Sequence, residues 1–384
     1  MTPASRPASA SRERIVQGWQ VCAAAPAEGS FPDFLTQPRE WIDLPEPALA
    51  AAALRSVGRW SLDGPARRFD ADDWWYRVEF DASPPEDGSS LWLGFDGLAG
   101  VAEVWLNGEL LARSTNMFVA CEHEIGQRLH RGGNTLVLRF HALDTLLAQR
   151  RPRPRWRAPM VEHQQLRWFR NTLLGRTPGW SPPAAAVGVW KDVWLERRAG
   201  LQVSNLTLRA SVADGAGRVD LACALEAPAG QRVMSAVLEL DHEGQTHRAS
   251  LVPGPMGAFT VSAAIEKPTL WWPHTHGTPA LYTAQLLVQL EGESAPRRVP
   301  LGRLGFRTIE ADTTDGGFSL RVNGVPVFCR GACWTPLDVV SLRATPEACR
   351  VAVAQVREAG MNMLRVAGTG VYEDSAFFDA CDAL

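Results

Sequence analysis

Of the carboxylates toward the C-terminal end of the sequence, three stand between its apolar elements, Asp338 in one segment and the neighbours Glu373 and Asp374 in another. Two carboxyl groups facing one substrate can divide the roles of acid, base and nucleophile. Glu373 and Asp374 also adjoin the expected start of a helix, where the dipole alone favours negative charge, and capping is the preferred reading for them. Trp334 carries an indole that can lie on the apolar face of a pyranose. With fifteen tryptophans in the chain, burial as a core residue is the equal alternative. Arg365 ends a short apolar run, and an arginine buried there requires carboxylate partners. His274 and His276 lie two apart with no third or fourth ligand nearby, which argues against a metal. Gly368-Thr369-Gly370 lacks the lysine and the wider glycine spacing of a phosphate loop.

The elements that must position these residues read as strand, helix, strand, helix over residues 318–384. A hairpin turns on Asn323-Gly324, a dipeptide that tolerates the positive φ angles of a type I′ turn. Its second arm is expected to run on as an apolar strand over 327–333. The next helix has Thr345 as N-cap, Pro346 at its first position, Glu347 in its first turn and Gly360 at its end. Its apolar residues Cys349, Ala352, Val353 and Val356 define one buried face. The run 363–366 leads into a second helix with Phe377, Phe378, Cys381 and Leu384 on one side. Two successive strand-then-helix units imply parallel strands, with chemistry in the loops at 332–340 and 367–373.

The runs GFRTIEA, FSLRVNGVPVFCRGACWTPLD and NMLRVAGTGVYEDSAFFDACDAL in this region resemble glycoside hydrolase family 2, on its β-mannosidase-like branch. Further upstream, WWYR, FDGLAGVAEVWLNGELL, STNMF and GVWKDVWLE resemble the family's sugar-binding β domain, and LWWPHTHGTPALY its Trp-Trp-Pro loop. The resemblance implies a mainly β, multidomain chain: a jelly-roll sugar-binding-like β-sandwich, an immunoglobulin-like β-sandwich, then the first two β/α units of a truncated (β/α)8 barrel. It also implies retaining, exo-acting hydrolysis of a β-linked oligosaccharide or glycoside, with no cofactor and no metal. That reaction uses two carboxyl groups about 5–5.5 Å apart. The family places them after the fourth and seventh barrel strands, so neither catalytic residue is expected within this chain.

Carried onto this sequence, the resemblance sets Arg365 beside the nucleophile. It gives Asp338, the end of a Trp-x-Pro-x-Asp run, a substrate-side or loop-ordering role. Two departures bear on the sugar. Ala367 and Thr369 replace a tryptophan and a glycine after the second strand, and Gly179 stands where the family has an aspartate. Loss of an indole and a carboxylate together argues against strict selectivity for mannose.

Composition is consistent with this reading. At 384 residues and 46% hydrophobic content, the chain can build two or three cores. A formal charge of −3 argues against nucleic acid or an anionic membrane as the main partner. The one basic run, RRPRPRWR at 150–157, reads as a solvated, proline-stiffened loop. Seven scattered cysteines suggest reduced thiols, and no signal or spanning segment is apparent, so a cytoplasmic location is expected. The expected divisions are a disordered 1–14, a jelly-roll domain at 15–198, an immunoglobulin-like sandwich at 199–304 and the barrel start at 305–384. A complete barrel takes roughly 250 residues, so the sequence is expected to be the N-terminal part of a longer polypeptide. The competing reading is a non-catalytic carbohydrate-binding or scaffold protein. The sequence sets no oligomeric state.

Overall fold

The computed structural model describes residues 12–26, 31–85, 88–152, 154–228 and 230–384. Of the segment expected to be disordered, residues 1–11 lie outside the described residues. Arg12–Arg14 are instead an edge strand, antiparallel to Trp194–Glu196. Charge places them there: the Arg12 guanidinium sits 3.6 Å over the Trp194 ring, and Arg14 pairs with Asp192 at 3.0 Å.

The first unit is a sandwich. Its larger sheet orders Ile42–Asp43, Gln20–Ala24, Asp73–Ala82, Gly132–Phe140, Ala102–Leu106 and Glu109–Ser114 side by side. The smaller one orders Arg12–Arg14, Val193–Arg198, Ser90–Phe95 and Cys121–Glu124. Along Asp73–Ala82 the alternation of a strand sends Trp74, Tyr76 and Val78 into the core between the sheets. Trp75 points the other way, where Phe34 stacks on it at 4.1 Å and Trp105 lies beyond at 5.8 Å. Both faces of the first half of the strand are therefore dry. The hairpin at Asn107-Gly108 has both residues at positive φ, as its sequence demands.

The second unit packs Gln202–Ala213, Ala216–Glu226, Ala258–Ile265 and Val252–Pro253 against Gln245–Ser250, Val233–His242, Tyr282–Leu290 and Arg297–Leu304. Val219, Leu221, Cys223 and Leu225 alternate inward from one sheet to meet Leu238, Leu286 and Val288 from the other. Arg297–Leu304 has too few apolar residues to stand out as a strand. It forms one because it is an edge, where arginines and Pro300 can face solvent.

From Ile309 the architecture changes. Ile309–Asp312, Ser319–Val322 and Val325–Val327 make a small antiparallel sheet. Gly331–Trp334 then pairs in parallel with Met363–Val366, and helices Pro346–Glu358 and Ser375–Ala383 cover one face of the pair. The expected continuous strand over 327–333 is thus corrected. The hairpin arm ends at Val327, and the chain turns before Gly331 because it changes partners. The Asn362 side chain accepts from Arg330 N–H at 2.9 Å, and Arg330 C=O receives the N–H groups of Asn362 and Met363. The first helix begins as read, with Thr345 Oγ1 accepting from Ala348 N–H at 3.1 Å, and Gly360 follows its end at φ 74°.

Val340, Leu342 and Val371 leave this last region and are buried in the core of the first sandwich, with Val339 packed beside them. Two of the expected loops are therefore fastened to a distant part of the chain.

Candidate functional site

The parallel pair divides its side chains between two faces. Trp334 and Leu364 turn toward the helices, and Gly331, Cys333, Met363 and Arg365 occupy the opposite face. Trp334 is 8% exposed, its ring 4.6 Å from that of Phe377, and its indole N–H donates to Glu373 Oε1 at 2.9 Å. Of the two equally weighted readings of Trp334, stacking on a sugar is the one that is corrected. In-register pairing with Val366 puts Trp334 on the helix side, where it closes a core and presents no ring face to a sugar.

Arg365 lies on the open face. It is exposed, its Nη1 stands 3.5 Å from Cys333 Sγ, and among the described residues it has no carboxylate partner. The burial expected for it is not found.

Asp338 orders its loop. Its carboxylate accepts from Val340 N–H at 2.9 Å, from the Ser341 hydroxyl at 2.7 Å, and from both Nη groups of Arg55 on the first sandwich. Burial pushes its pKa up, but the bonds from Arg55, Ser341 and Val340 outweigh that and hold it at about 2. With every carboxylate oxygen engaged, the loop-ordering role describes this residue.

Glu373 and Asp374 precede the second helix, but neither side chain caps it. Asp374 sits at the N-cap position and bonds Lys191 Nζ at 2.5 Å, so its charge reaches across to the first sandwich. Burial raises the Glu373 carboxyl above its usual range; the Trp334 N–H opposes that rise and neighbouring Asp374 adds to it. Capping is therefore replaced by bridging, because stronger partners lie within reach.

The loop after the second parallel strand is held by backbone groups. The Thr172 hydroxyl lies 3.1 Å from Thr369 C=O and 2.8 Å from Gly370 C=O, while Leu173 N–H donates to Thr369 C=O at 3.2 Å. Thr172 is itself positioned by Arg176, which is 4% exposed, donates to Thr172 C=O at 3.0 Å and forks onto Asp70 with two bonds of 2.7 Å. Arg343 reaches back from the first loop to Trp190 C=O at 2.7 Å. The cleft among Trp190, Leu337, Arg343 and Tyr372 retains only about 10 Å³, the space of a single water. It is a sealed joint, and a sugar would have to lie on the open face beside it.

Sequence reasoning missed Arg55, Thr172, Arg176 and Lys191. Nothing local marks them, since each acts on a partner far along the chain. Gly179 has φ 79° with open space around it, and adjacent Trp180 is 77% exposed. His274 Nε2 donates to Met361 C=O at 2.8 Å and so joins the second sandwich to the last region, whereas His276 bonds its neighbour Thr275. Among the described residues no group of three or more metal-ligating side chains assembles. Among the described residues no disulfide links the cysteines.

Residues 63–191 match the family described as glycosyl hydrolase 2 galactose-binding domain-like. The chain is 29% identical over 381 residues to β-mannosidase B of Emericella nidulans, an alignment covering 92% of this chain and 44% of that protein. It is 30% identical over 379 residues to β-mannosidase B of Aspergillus oryzae, with the same coverage. Its fold is like that of a β-D-mannosidase from Dictyoglomus thermophilum, with TM-score 0.77, 23% identity, and 97% of this chain matched to 46% of that one. It is also like that of an exo-chitosanase from Amycolatopsis orientalis, with TM-score 0.66, 20% identity, and 97% matched to 42%. The chain thus spans less than half the length of the relatives it matches.

Proposed function

Since this chain is a relative of the family 2 glycoside hydrolases on their β-mannosidase-like branch, matching their N-terminal portion, we propose that it forms the scaffold and opening section of a retaining exo-β-glycosidase. In this reading residues 15–198 are the sugar-binding-like domain, 199–304 the immunoglobulin-like sandwich and 305–384 the start of a (β/α)8 barrel. The observation that carries it is the parallel pairing of Gly331–Trp334 with Met363–Val366 beneath two helices. Helices on one face leave the other face to become a barrel interior.

Arg365 lies on that inner face with only Cys333 Sγ as a partner among the described residues, available to a carboxylate or to sugar hydroxyls. Asp338, Thr172 and Lys191 hold the two mouth loops in place, so the chain's contribution is positioning. The two reacting carboxyl groups would come from polypeptide outside these 384 residues. With Gly179 and Ala367 in place of a carboxylate and an indole, the site has fewer contacts with which to select mannose.

The test compares release of nitrophenol from the β-mannoside, β-glucuronide, β-galactoside and β-glucosaminide by residues 1–384 and by a polypeptide continuing through a complete barrel. The longer protein is expected to turn over at least one substrate and the 384-residue chain none. Robust turnover by the short chain, or an inert long one, overturns the proposal. Exclusive preference for the mannoside would show that Gly179 and Ala367 do not relax selectivity.

A further inference from the structure

Between Ala148 and Asn171 the sequence carries seven arginines and a single carboxylate, Glu162. The sequence alone reads the basic run as a solvated loop; its described residues are irregular and mostly exposed, and they are tied to the segment that follows. Trp168 Nε1 donates to Pro152 C=O at 3.1 Å, and Gln164 closes a ring of bonds with Ala158 N–H at 2.9 Å and Ala158 C=O at 2.8 Å. Arg167 donates to Gln164 C=O at 2.7 Å and to its Oε1 at 2.9 Å, and its guanidinium lies 4.4 Å from the Trp156 ring centroid. Its Nη1 and the Nε of Arg151 have no protein acceptor but are shielded from solvent, so a ligand would meet the exposed guanidinium groups of Arg150, Arg155 and Arg157.

Two grooves result. One, of about 280 Å³, is lined by Arg155, Trp156, Arg157, Gln164 and Arg167; the other, of about 690 Å³, by Arg150, Arg151, Pro152 and Gln165. Among the described residues none of these five arginines pairs with a carboxylate, whereas buried Arg176 and Arg139 each do. Trp156 is 64% and Trp168 47% exposed. Guanidinium groups without a carboxylate partner, set beside exposed indoles, form a surface for rings that carry planar anions.

We propose that this face of the first sandwich binds an acidic oligosaccharide, with uronate carboxylates on the arginine forks and pyranose faces on Trp156 and Trp168. Preferring a sugar to a nucleic acid rests on the kinship with sugar hydrolases, and on grooves that are short pockets rather than a continuous basic track. Arg167 is joined to Thr172, which holds the mouth loop, by no more than about 18 Å of chain.

The test titrates the 384-residue chain with a galacturonic-acid tetramer, a neutral mannose tetramer and an oligothymidylate, following tryptophan fluorescence and heat. The uronide is expected to bind at least about tenfold more tightly than the neutral tetramer and to weaken as salt is raised. Arg155→Ala with Arg157→Ala, and separately Trp156→Ala, should each cost about tenfold in affinity. Arg155→Lys with Arg157→Lys, which keeps the charge and loses the forks, should also weaken binding. An unchanged far-ultraviolet circular dichroism spectrum and thermal midpoint show that each variant is folded. Equal binding of the neutral tetramer, tighter binding of oligothymidylate, no binding of the uronide, or variants that bind as the parent does would overturn the proposal. The glycosidase reading is untouched by any of these results, because its own test uses simple aryl glycosides.

Discussion

Asp338 shows how a residue that resembles a site residue can be identified by its partners. A substrate-side carboxylate needs a free oxygen, and this one spends both on Arg55, Ser341 and Val340. Because its folded pKa is depressed, the stability it contributes is present above the ordinary value of 3.8 and is lost as the pH falls through about 2. Arg55 is 40% exposed, so solvent screens the pair and the contribution is modest. Asp338→Asn is expected to cost about 1 kcal/mol at neutral pH. Urea midpoints of parent and variant, measured from neutral pH downward, should converge as the pH approaches 2; a gap that persists there would contradict the assignment.

The parallel pair is the element on which the barrel reading stands, and one glycine permits it. A Cβ at Gly331 would overlap the carbonyl oxygen and carbon of Met363, both backbone atoms that cannot swing aside. Gly331→Ala is therefore expected to destabilise the chain by about 3 kcal/mol and to raise amide exchange across both strands. Gly368→Ala, two residues past the second strand in open space, should change stability by less than about 0.5 kcal/mol. Comparable losses in the two variants, read by urea unfolding, would mean that the strands do not pack as closely as described. The helices of this region were legible from Thr345, Pro346 and Gly360 because capping is local chemistry. The start of the parallel strand was misplaced because nothing in 327–333 signals a change of partner, and Arg297–Leu304 escaped notice because an edge strand needs little apolar content.

At the scale of the molecule, the two sandwiches differ in independence. The second encloses its core with residues from 201 to 306, whereas the first draws Val340, Leu342 and Val371 from beyond it. Residues 201–306 expressed alone should unfold cooperatively. Residues 12–198 alone should melt below the same sandwich in the whole chain, since each lost Val or Leu removes about 1.5–3 kcal/mol of burial. Calorimetry of the two fragments and the parent decides this. An unchanged transition for 12–198 would show that the loops merely rest on that core.

By itself the sequence determined what depends on near neighbours: strand alternation in both sandwiches, the turns at Asn107-Gly108 and Asn323-Gly324, the caps of one helix, and the runs that carry the resemblance. The tertiary structure alone decided which face Trp334 takes, that Asp338 meets Arg55, and that Thr172 holds the loop at Thr369. Those outcomes depend on strand register and on contacts between residues more than thirty and up to almost three hundred positions apart. A pattern of residue types encodes the tendency to form a strand or helix, but it leaves open which distant surface will satisfy a given carbonyl or carboxylate.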